Sequence, residues 1–418
     1  MSKRTGAVLG FLAVALLGVQ SVELAYLIRV DHAARRHEQQ SELRHQGLAQ
    51  YLEKHRFFQD RELFYEELTM GRAQALASES GKALRTPILQ RLSQNRVTIV
   101  WETGTPQESR LLYRTQGSEG QPVVVPGARY VHEVELAGLS AGTRYEVLVE
   151  GSSPLTFQTY PDPMPGLSLA VLGDTQGGPC IETHAVHIAA RSPDAILLCG
   201  DLVSNGMQYS HWRDQFFKPN WLDLLGRVPL YPVLGNHEFD SPLYYKFFSL
   251  PGNERWYSFD LGPARFVALD SNADCSPGGV QYRWAEKELS GPRTKPWLVV
   301  FFHHPPYPAK LDPEHGRMGA EVRRHLSPLF ERCQVDLVLT GHEHNYYRSV
   351  PIGGVTYVIT AGGGGGLREH APEEDLVAAF KHTFHYTMLE FGPAKVEGKA
   401  YDLSDEEIDS FVLEKGTE

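Results

Sequence analysis

The chain has 418 residues, 42% hydrophobic and 22% charged, which is typical of a globular protein long enough for more than one domain. Its formal net charge of -11 argues against a surface that binds nucleic acid or anionic lipid, but not against a small phosphorylated substrate that a local metal charge attracts. The four cysteines include no CxxC pair, which argues against a zinc ribbon or a disulfide-dense scaffold. A disulfide between Cys180 and Cys275, both in loop-like segments, is a hypothesis that needs an oxidising compartment.

The N-terminus has the pattern of an export signal. Lys3 and Arg4 precede Ala7–Val19, an apolar run without charge, in the order typical of a signal sequence. Residues 6–28 are also long enough to span a bilayer. Residues 1–28 are therefore predicted to be either a cleaved signal peptide or a membrane anchor. We expect an exported protein that is periplasmic, extracellular or membrane-anchored, with the rest of the chain outside the cytoplasm.

Two segments of different texture follow. Residues 29–85 are rich in charge and free of proline, with apolar residues near helical spacing, which predicts a helical segment. Residues 86–160 contain short alternating runs bounded by polar turns. The predicted strands include Arg96–Trp101, Arg110–Tyr113 and Tyr130–Leu136. An early core Trp and a Tyr at the start of a late strand favour a small all-β sandwich.

A proline-rich linker, Tyr160–Gly166, separates this region from a third segment, residues 167–413. Strongly apolar runs in that segment alternate with helical patterns, which predicts an α/β domain of mixed sheets flanked by helices. The five principal runs are Leu167–Gly173, Ala195–Gly200, Val228–Gly235, Trp297–Phe302 and Val335–Gly341. Pro328 interrupts the helical pattern of Glu321–Arg332 and predicts two short helices there.

A polar cluster follows each of these five runs, where ligands bind in layered α/β folds. The clusters are Gly-Asp174-Thr-Gln176, Gly-Asp201-Leu-Val-Ser204, Gly-Asn236-His237-Glu238, His303-His304-Pro-Pro-Tyr307 and Gly-His342-Glu-His344. Any one of them alone has an ordinary explanation as a helix cap, a turn or a core histidine. Together they supply the carboxylate, amide and imidazole ligands typical of divalent or trivalent metals, and one carboxylate can bridge two ions.

The order GD, GD, GNHE, HxPxY and GHxH resembles the calcineurin-like metallophosphoesterases, most of all the purple acid phosphatase branch. That branch also has an N-terminal fibronectin type III-like sandwich, a GHxHxYxR run like Gly341–Arg348, and a Gln-Tyr-x-Trp helix start like Gln281–Trp284. The similarity covers about residues 86–413. It implies a layered metallophosphoesterase sandwich and a dinuclear hydrolase in which a metal-bound hydroxide attacks a phosphomonoester or phosphodiester.

The resemblance also implies a role for each matching residue. Asp174 and His344 would bind the first of two ions, which are expected to be Mn, Zn or Fe, and Asp201 would bridge both. The implied ligands of the second ion are Asn236, His303 and His342. His237 would bind the phosphoryl oxygens and stabilise their developing charge.

Two departures from the branch carry further expectations. Ser204 stands where purple acid phosphatases have the tyrosine whose charge transfer to iron gives their colour. Gln176 is the predicted replacement ligand, and the first site is expected to hold Mn, Zn or Fe(II). The acid that protonates the leaving group is predicted to be His304, His315 or bound water.

Two other functions stay open at this point: a metal-containing but non-catalytic binding module at the cell surface, and a phosphoprotein phosphatase. The sequence also leaves open the physiological substrate, the preference for monoesters or diesters, and the oligomeric state. The predicted partners are a small phosphorylated substrate and, through residues 1–28, a membrane. The loop Gly362–Gly366 either borders the site or is a spacer.

Overall fold

The computed structural model describes residues 86–307, 316–368 and 374–415. The predicted export segment (1–28), the predicted helical segment (29–85) and His315 lie outside these residues. Within these three ranges, no helix is both long enough and apolar enough to cross a membrane.

The first part of the described chain is all-β. Its five strands, linked in one hydrogen-bonded sheet, are β1 (Ile88–Gln90), β2 (Arg96–Thr115), β3 (Gln121–Ala137), β4 (Arg144–Val149) and β5 (Leu155–Gln158). The first half of β2 pairs with β1 and its second half with β4, so the long strand changes neighbours along its length. This exchange lets one connected set of strands wrap around a core that contains Trp101 and Tyr145, both buried.

The predicted strands Arg96–Trp101 and Arg110–Tyr113 are parts of the single strand β2 rather than separate elements. The polar residues between them, which the sequence suggested were a turn, are absorbed as register shifts in the pairing with β3 between Glu102 and Ser109. The hydroxyl of Tyr145, at the start of β4, accepts the backbone N–H of Ser140 at 2.9 Å, as expected for a β-sandwich corner. Assignment of this region to the fibronectin type III class stays a prediction.

The rest of the described chain forms two mixed sheets. The six-stranded sheet has the order β18-β17-β16-β6-β7-β8 and the seven-stranded sheet the order β15-β13-β14-β12-β11-β10-β9. The strands of the first are β6 (Leu167–Leu172), β7 (Ala195–Leu198), β8 (Leu230–Pro232), β16 (His385–Phe391), β17 (Lys395–Asp402) and β18 (Glu407–Glu414). The strands of the second are β9 (Tyr257–Leu261), β10 (Ala264–Ala268), β11 (Trp297–Phe301), β12 (Leu337–Thr340), β13 (Tyr346–Ser349), β14 (Thr356–Thr360) and β15 (Val377–Lys381).

The five apolar runs named from the sequence become β6, β7, β8, β11 and β12. Their side chains are buried throughout β7, β11 and β12, which explains why these strands show continuous apolar sequence instead of alternation. Within each sheet the neighbours β6, β7 and β8, and likewise β10, β11, β12 and β14, run parallel. Their carboxyl ends therefore lie together at one edge of each sheet. The predicted α/β fold of mixed sheets with helices is confirmed.

Helices connect these strands. They are α1 (Cys180–Arg191), α2 (Tyr209–His211) continuing into a π-helical turn (Trp212–Phe216), α3 (Pro219–Leu225), α4 (Pro242–Phe247), α5 (Val280–Ser290), α6 (Gly316–His325) and α7 (Ser327–Arg332), with short 3-10 turns at Asn236–Glu238 and Glu374–Leu376. The break between α6 and α7 falls just before Pro328, whose ring cannot continue the preceding helix. The prediction of two short helices is confirmed.

The all-β region packs directly on the α/β domain. One apolar cluster contains buried residues from Ile88 to Phe411 and so belongs to both parts. The side chain of Gln90 donates to the carbonyl of Phe247 at 3.1 Å, and the hydroxyl of Tyr209 donates to Glu102 at 2.5 Å. These buried contacts fix the all-β region to α2 and α4.

The predicted disulfide between Cys180 and Cys275 is wrong. All four cysteines are free. Cys180 is the first residue of α1, which follows β6 in the chain. Cys275 lies in the loop that follows β10, a strand of the other sheet. Each thiol is buried within its own segment, and the sulfur of Cys275 contacts the carbonyl of Ala273. Loop composition alone placed the two residues in loops but did not bring them together.

Candidate metal centre

The polar clusters converge at the carboxyl ends of the parallel strands. Asp174 follows β6, Asp201 follows β7, Asn236 follows β8, His303 follows β11 and His342 follows β12. Ligand atoms of Asp174, Asp201 and His303 lie within 4.8 Å of one another, and so do those of His303, His304 and His342. His303 belongs to both groups, so the two groups form one continuous cluster.

The backbone at three of these residues is unusual. Asp174, Asp201 and His342 have φ values of 60°, 55° and 68°, in the left-handed region that residues with a side chain rarely adopt. Such strained conformations persist only where surrounding contacts hold them, and they concentrate at functional sites. Each follows a glycine and turns its side chain into the cluster instead of continuing the strand.

Glycine is required at one of these turns because the loops approach closely. A Cβ at Gly235 would overlap the backbone N–H and carboxylate of Asp201. The loop that follows β8 therefore lies directly against the loop that follows β7. This contact brings Asn236 and Asp201 into the same site.

One half of the cluster consists of Asn236, His303 and His342, together with Asp201. The Oδ1 atom of Asn236 lies 3.1 Å from Nε2 of His303 and 3.0 Å from Nδ1 of His342, and these two nitrogens lie 3.2 Å apart. Oδ2 of Asp201 is 3.2 Å from Nε2 of His303. Ligand atoms around an octahedral ion with bonds of about 2.1 Å are about 3 Å apart. The arrangement and the chemistry of these donors fit a metal ion.

The other half contains Asp174, His344 and Gln176. Nε2 of His344, which is buried, lies 3.3 Å from Oδ1 of Asp174. The side-chain amide of Gln176 donates to Oδ2 of Asp201 at 2.7 Å, so the residue that was predicted to replace the tyrosine ligand lies beside this carboxylate. This half also fits an ion that is bound by a carboxylate oxygen, an imidazole nitrogen and an amide oxygen.

Backbone carbonyls orient three of the imidazoles. Nδ1 of His303 donates to the carbonyl of Cys199 at 2.8 Å, and Nδ1 of His344 donates to that of Gly366 at 2.6 Å. Nδ1 of His237 donates in the same way to the carbonyl of Ser204 at 2.8 Å. Fixing the proton on Nδ1 leaves Nε2 free to face the cluster, as is usual for histidines that bind metals.

The ionisation of the cluster also matches a cation site. Burial lowers the pKa of His303, but the carboxylates of Asp201 and Asp174 raise it more, to about 9. For its neighbour His342, burial and then the charge of His303 lower the pKa to about 3. The nearby carboxylates therefore favour positive charge at His303. A metal ion that binds there would compete with the proton on this side chain.

Sequence reasoning missed the role of Glu238. Its carboxylate is fully buried and accepts the backbone N–H groups of Asp201 at 2.9 Å, Leu202 at 2.8 Å and Gly235 at 2.7 Å. Burial and the nearby charge of Asp201 raise its pKa. Glu238 thereby joins the loop that follows β7 to the loop that follows β8. The available signal was the GNHE motif, in which an acid without a ligand role follows two candidate site residues.

The glycine-rich loop borders the site. The N–H of Gly363 donates to the carbonyl of Gly173 at 2.9 Å, and that of Gly365 donates to the carbonyl of Asp174 at 2.7 Å. Together with the hydrogen bond from His344 to Gly366, these contacts tie the loop to the half of the cluster that contains Asp174 and His344. Of the two alternatives that the sequence left open, the structure favours a loop that is part of the site.

The two predicted acids are placed differently. His304 is buried beside His342, with ring centroids 4.5 Å apart, and its Nδ1 lies 2.8 Å from the hydroxyl of Ser271. Burial, and then the charges of His342 and His303, hold its pKa well below the usual value. A neutral imidazole is a good hydrogen-bond donor but a weak acid, so the role of His304 as a proton donor stays a prediction. His315 lies outside the described residues.

Several known proteins are similar to this chain. Residues 167–346 match the family of calcineurin-like phosphoesterases. Purple acid phosphatase 22 from Arabidopsis thaliana is 28% identical over 237 residues, which are 52% of this chain and 53% of that protein. Acid phosphatase type 7 from Homo sapiens is 27% identical over 302 residues, or 61% of this chain and 68% of that protein. The chain spans about half the length of the first of these relatives.

Solved structures share the fold. A purple acid phosphatase, PPD1, from yellow lupin (Lupinus luteus) superposes with a TM-score of 0.70 and 21% identity, over 79% of this chain and 75% of that chain. PhoD superposes with a TM-score of 0.63 and 14% identity, over 79% of this chain and 90% of that chain. The chain therefore contains a calcineurin-like phosphoesterase domain, and purple acid phosphatases are among its homologues.

Proposed function

We propose that the chain is a hydrolase of phosphoesters that uses two metal ions. The observation that carries this proposal is the convergence of Asn236 Oδ1, His303 Nε2 and His342 Nδ1, whose mutual distances are 3.0 to 3.2 Å. Three ligand-type atoms from the ends of three strands at these distances fit a shared metal ion, and the same contacts serve as hydrogen bonds where no ion is bound. The family match and the homologous phosphatases support the same class of reaction.

In this proposal each half of the cluster holds one ion. Asp174, Gln176 and His344 hold the first, and Asp201 lies between the two. The second is held by Asn236, His303 and His342. When bound, two such ions neutralise the charge of a phosphoryl group and lower the pKa of a water molecule, which supplies the nucleophile at neutral pH.

His237 is expected to contact the substrate. Its side chain is one-third exposed, and Nε2 lies 3.9 Å from Oδ2 of Asp201. Because Nδ1–H is committed to the carbonyl of Ser204, Nε2 donates a hydrogen bond only when the ring is protonated. Protonated His237 would then hold a phosphoryl oxygen and stabilise its charge in the transition state.

The proposed metals are Mn, Zn or Fe(II) in the first half, because no phenolate is supplied there. The hydroxyl of Ser204 donates to the carbonyl of Gln176 at 3.1 Å, and its N–H donates to the side chain of Gln215 at 2.8 Å. Ser204 thus supports the Gln176 loop. We expect the purified protein to lack the visible absorption band of a tyrosinate bound to Fe(III). A purple protein would contradict this assignment.

The proposed function is tested by metal analysis together with turnover. The purified chain is analysed for bound metals and assayed with para-nitrophenyl phosphate and with its bis-ester, before and after addition of Mn²⁺ or Zn²⁺. We expect two metal ions per chain and hydrolysis of at least one ester, and the ratio of the two rates gives the preference for monoesters or diesters. Two ions without turnover would favour the non-catalytic binding module, and absence of metal binding would overturn the proposal.

The proposed substrate is a small phosphorylated molecule outside the cytoplasm. The one-third exposure of His237 is compatible with such a substrate. Export through residues 1–28 remains part of the proposal. It is tested by whether the enzyme in intact cells hydrolyses an ester that does not cross the membrane.

A further inference from the structure

Arg255 is a buried cation beside the candidate metal centre. Only 3% of the residue is exposed. Its Nε donates to Oδ2 of Asp270 at 2.5 Å, and its Nη1 lies 3.3 Å from Oδ2 of Asp240. Burial lowers the pKa of Arg255, but these two carboxylates raise it more, so the guanidinium stays charged. A charge is rarely buried in a protein unless it is paired in this way.

Asp240 connects Arg255 to one end of a site turn. The turn Asn236–Glu238 continues into Phe239 and Asp240, which have φ values of 53° and 51°. Two successive residues with side chains in the left-handed region need external contacts to hold them. The carboxylate of Asp240 has such contacts, because it faces Arg255 and also accepts the hydroxyl of Tyr245 at 2.5 Å.

Asp270 connects Arg255 to the other end of the same turn. Oδ1 of Asp270 accepts the side-chain amide of Asn272 at 2.8 Å, and that amide also lies 3.3 Å from the carbonyls of Leu234 and Gly235. The side chain of Gln281, in the Gln-Tyr-x-Trp motif, bonds both the N–H and the carbonyl of Asp270. Asp270 is therefore fixed to α5 on one side and reaches the start of the turn on the other.

We propose that Arg255 is a positioning residue: by joining Asp240 to Asp270 it holds both ends of the turn that carries Asn236 and His237. Arg255 touches neither of these two residues. Its charge closes a ring of contacts from Leu234 and Gly235, through Asn272 and Asp270, to Asp240. The consequence for metal binding rests on the proposed function, because it applies to the half of the cluster that contains Asn236.

Two mild substitutions test this proposal. Arg255→Met leaves the buried carboxylate of Asp270 and the partly buried one of Asp240 without a cation and is expected to unfold the chain, so Arg255→Lys and Asp240→Asn are used. A lysine keeps the charge but lacks the fork that reaches both carboxylates. Asp240→Asn leaves the bond from Arg255 to Asp270 intact and weakens only the other arm. Amide hydrogen exchange under native conditions then reports local opening of the turn.

In both variants we expect the amides of residues 235–241 to exchange at least about tenfold faster, while those of β6, β7 and β11 keep their rates. The matched control is Arg265→Met, which breaks an ion pair with Glu288 at the opposite end of β10 from Asp270. The control is expected to leave exchange in the turn unchanged. Unchanged exchange in the turn of both folded variants, or equal acceleration throughout the chain, would overturn the proposal.

Metal titration separates this proposal from the proposed function. With Mn²⁺ we expect both variants to lower the affinity of one of two binding events by about tenfold and to leave the other unchanged. Effects of this size are typical of residues that orient a metal ligand without binding the metal themselves. Loss of both events in the unsubstituted chain would contradict the proposed function, and hydrogen exchange would still decide the role of Arg255. Faster exchange with two unchanged affinities would overturn the link to metal binding.

Discussion

The two halves of the candidate metal centre are built differently. In the half with Asn236, His303 and His342, three ligand atoms on the ends of three strands already lie 3.0 to 3.2 Å apart. In the half with Asp174 and His344, the two ligand atoms are 3.3 Å apart, and the neighbouring donor is the amide of Gln176. The half with Asn236 is complete from residues at strand ends, whereas the half with Asp174 also depends on Gln176 and on a glycine-rich loop.

This difference separates what the fold supplies from what this chain supplies. Strand ends of the two sheets provide Asn236, His303 and His342. Hydrogen bonds to the carbonyls of Cys199 and Gly235 support His303 and the turn that carries Asn236. The other half has Ser204 in place of a phenol, and the loop Gly362–Gly366 lies directly against it. We therefore expect the half with Asn236 to bind its ion more tightly and to be less sensitive to changes in loops.

The largest effect is expected from Asp201→Asn, because this residue belongs to both halves. Its Oδ2 lies 3.2 Å from His303 and accepts the amide of Gln176 at 2.7 Å. Loss of the negative charge should lower turnover by at least about 1000-fold and weaken binding of both ions. The measurement is kcat with either nitrophenyl ester, together with metal content and circular dichroism. A folded variant that keeps its activity would refute the bridging position of Asp201.

Substitution of the two histidines of the GHxH motif separates the halves. His342→Ala should remove the ion held with Asn236, and His344→Ala the ion held with Asp174. Each variant should retain about one metal ion per chain and lose turnover by about 100-fold or more, since the proposed reaction uses both ions. Metal analysis is the decisive measurement. Loss of both ions in both variants would mean that the cluster binds metal as one unit and not as two halves.

The sequence predicted well the strands that carry the polar clusters. Strongly apolar runs predicted β6, β7, β8, β11 and β12 because strands buried on both faces need continuous apolar sequence. The side chains that follow such strands lie at one edge of the sheet, so the convergence of the polar clusters was predictable from position, whereas their roles as metal ligands came from the family resemblance and stay a prediction. Pro328 likewise predicted the break between α6 and α7 because its ring cannot continue a helix.

The sequence was less informative where the outcome depends on long-range contacts. Loop-like composition around Cys180 and Cys275 did not indicate their positions in the fold. Cys180 follows a strand of one sheet, whereas Cys275 follows a strand of the other sheet. The polar residues between Trp101 and Ser109 suggested a turn, yet pairing with β3 keeps them in one strand. The roles of Glu238 and Arg255 were not visible because each acts through backbone groups or acids that are distant along the chain.

Glu238→Gln tests how the two halves are joined. The substitution keeps the shape of the side chain but replaces one carboxylate oxygen by a donor, which cannot accept the N–H bonds from Asp201 and Gly235 or from Leu202. We expect stability to fall by about 1–3 kcal/mol and metal affinity by about 10- to 100-fold. Chemical denaturation and Mn²⁺ titration measure the two effects. An unchanged metal affinity would show that Glu238 serves stability alone.

The smallest effect is expected from the glycine-rich loop, and it should be confined to one half. A Cβ at Gly365 would lie 2.5 Å from Cε1 of His344 and 2.9 Å from Oε1 of Gln176, so Gly365→Ala must displace both side chains. A Cβ at the neighbouring Gly366 would meet no atom within 4 Å, which makes Gly366→Ala a matched control. We expect Gly365→Ala to weaken one ion by about tenfold and the control to leave both affinities unchanged.

Equal behaviour of the two glycine variants in Mn²⁺ titration would contradict the contact between the loop and the first half. The pair of variants also tests the comparison as a whole. If Gly365→Ala weakens the same ion that His344→Ala removes, the half with Asp174 is the one that depends on its loop. If it weakens the ion that His342→Ala removes, the two halves share their support, because displacement of His344 would then be transmitted through Asp174, whose carboxylate accepts the N–H of His342 at 2.9 Å.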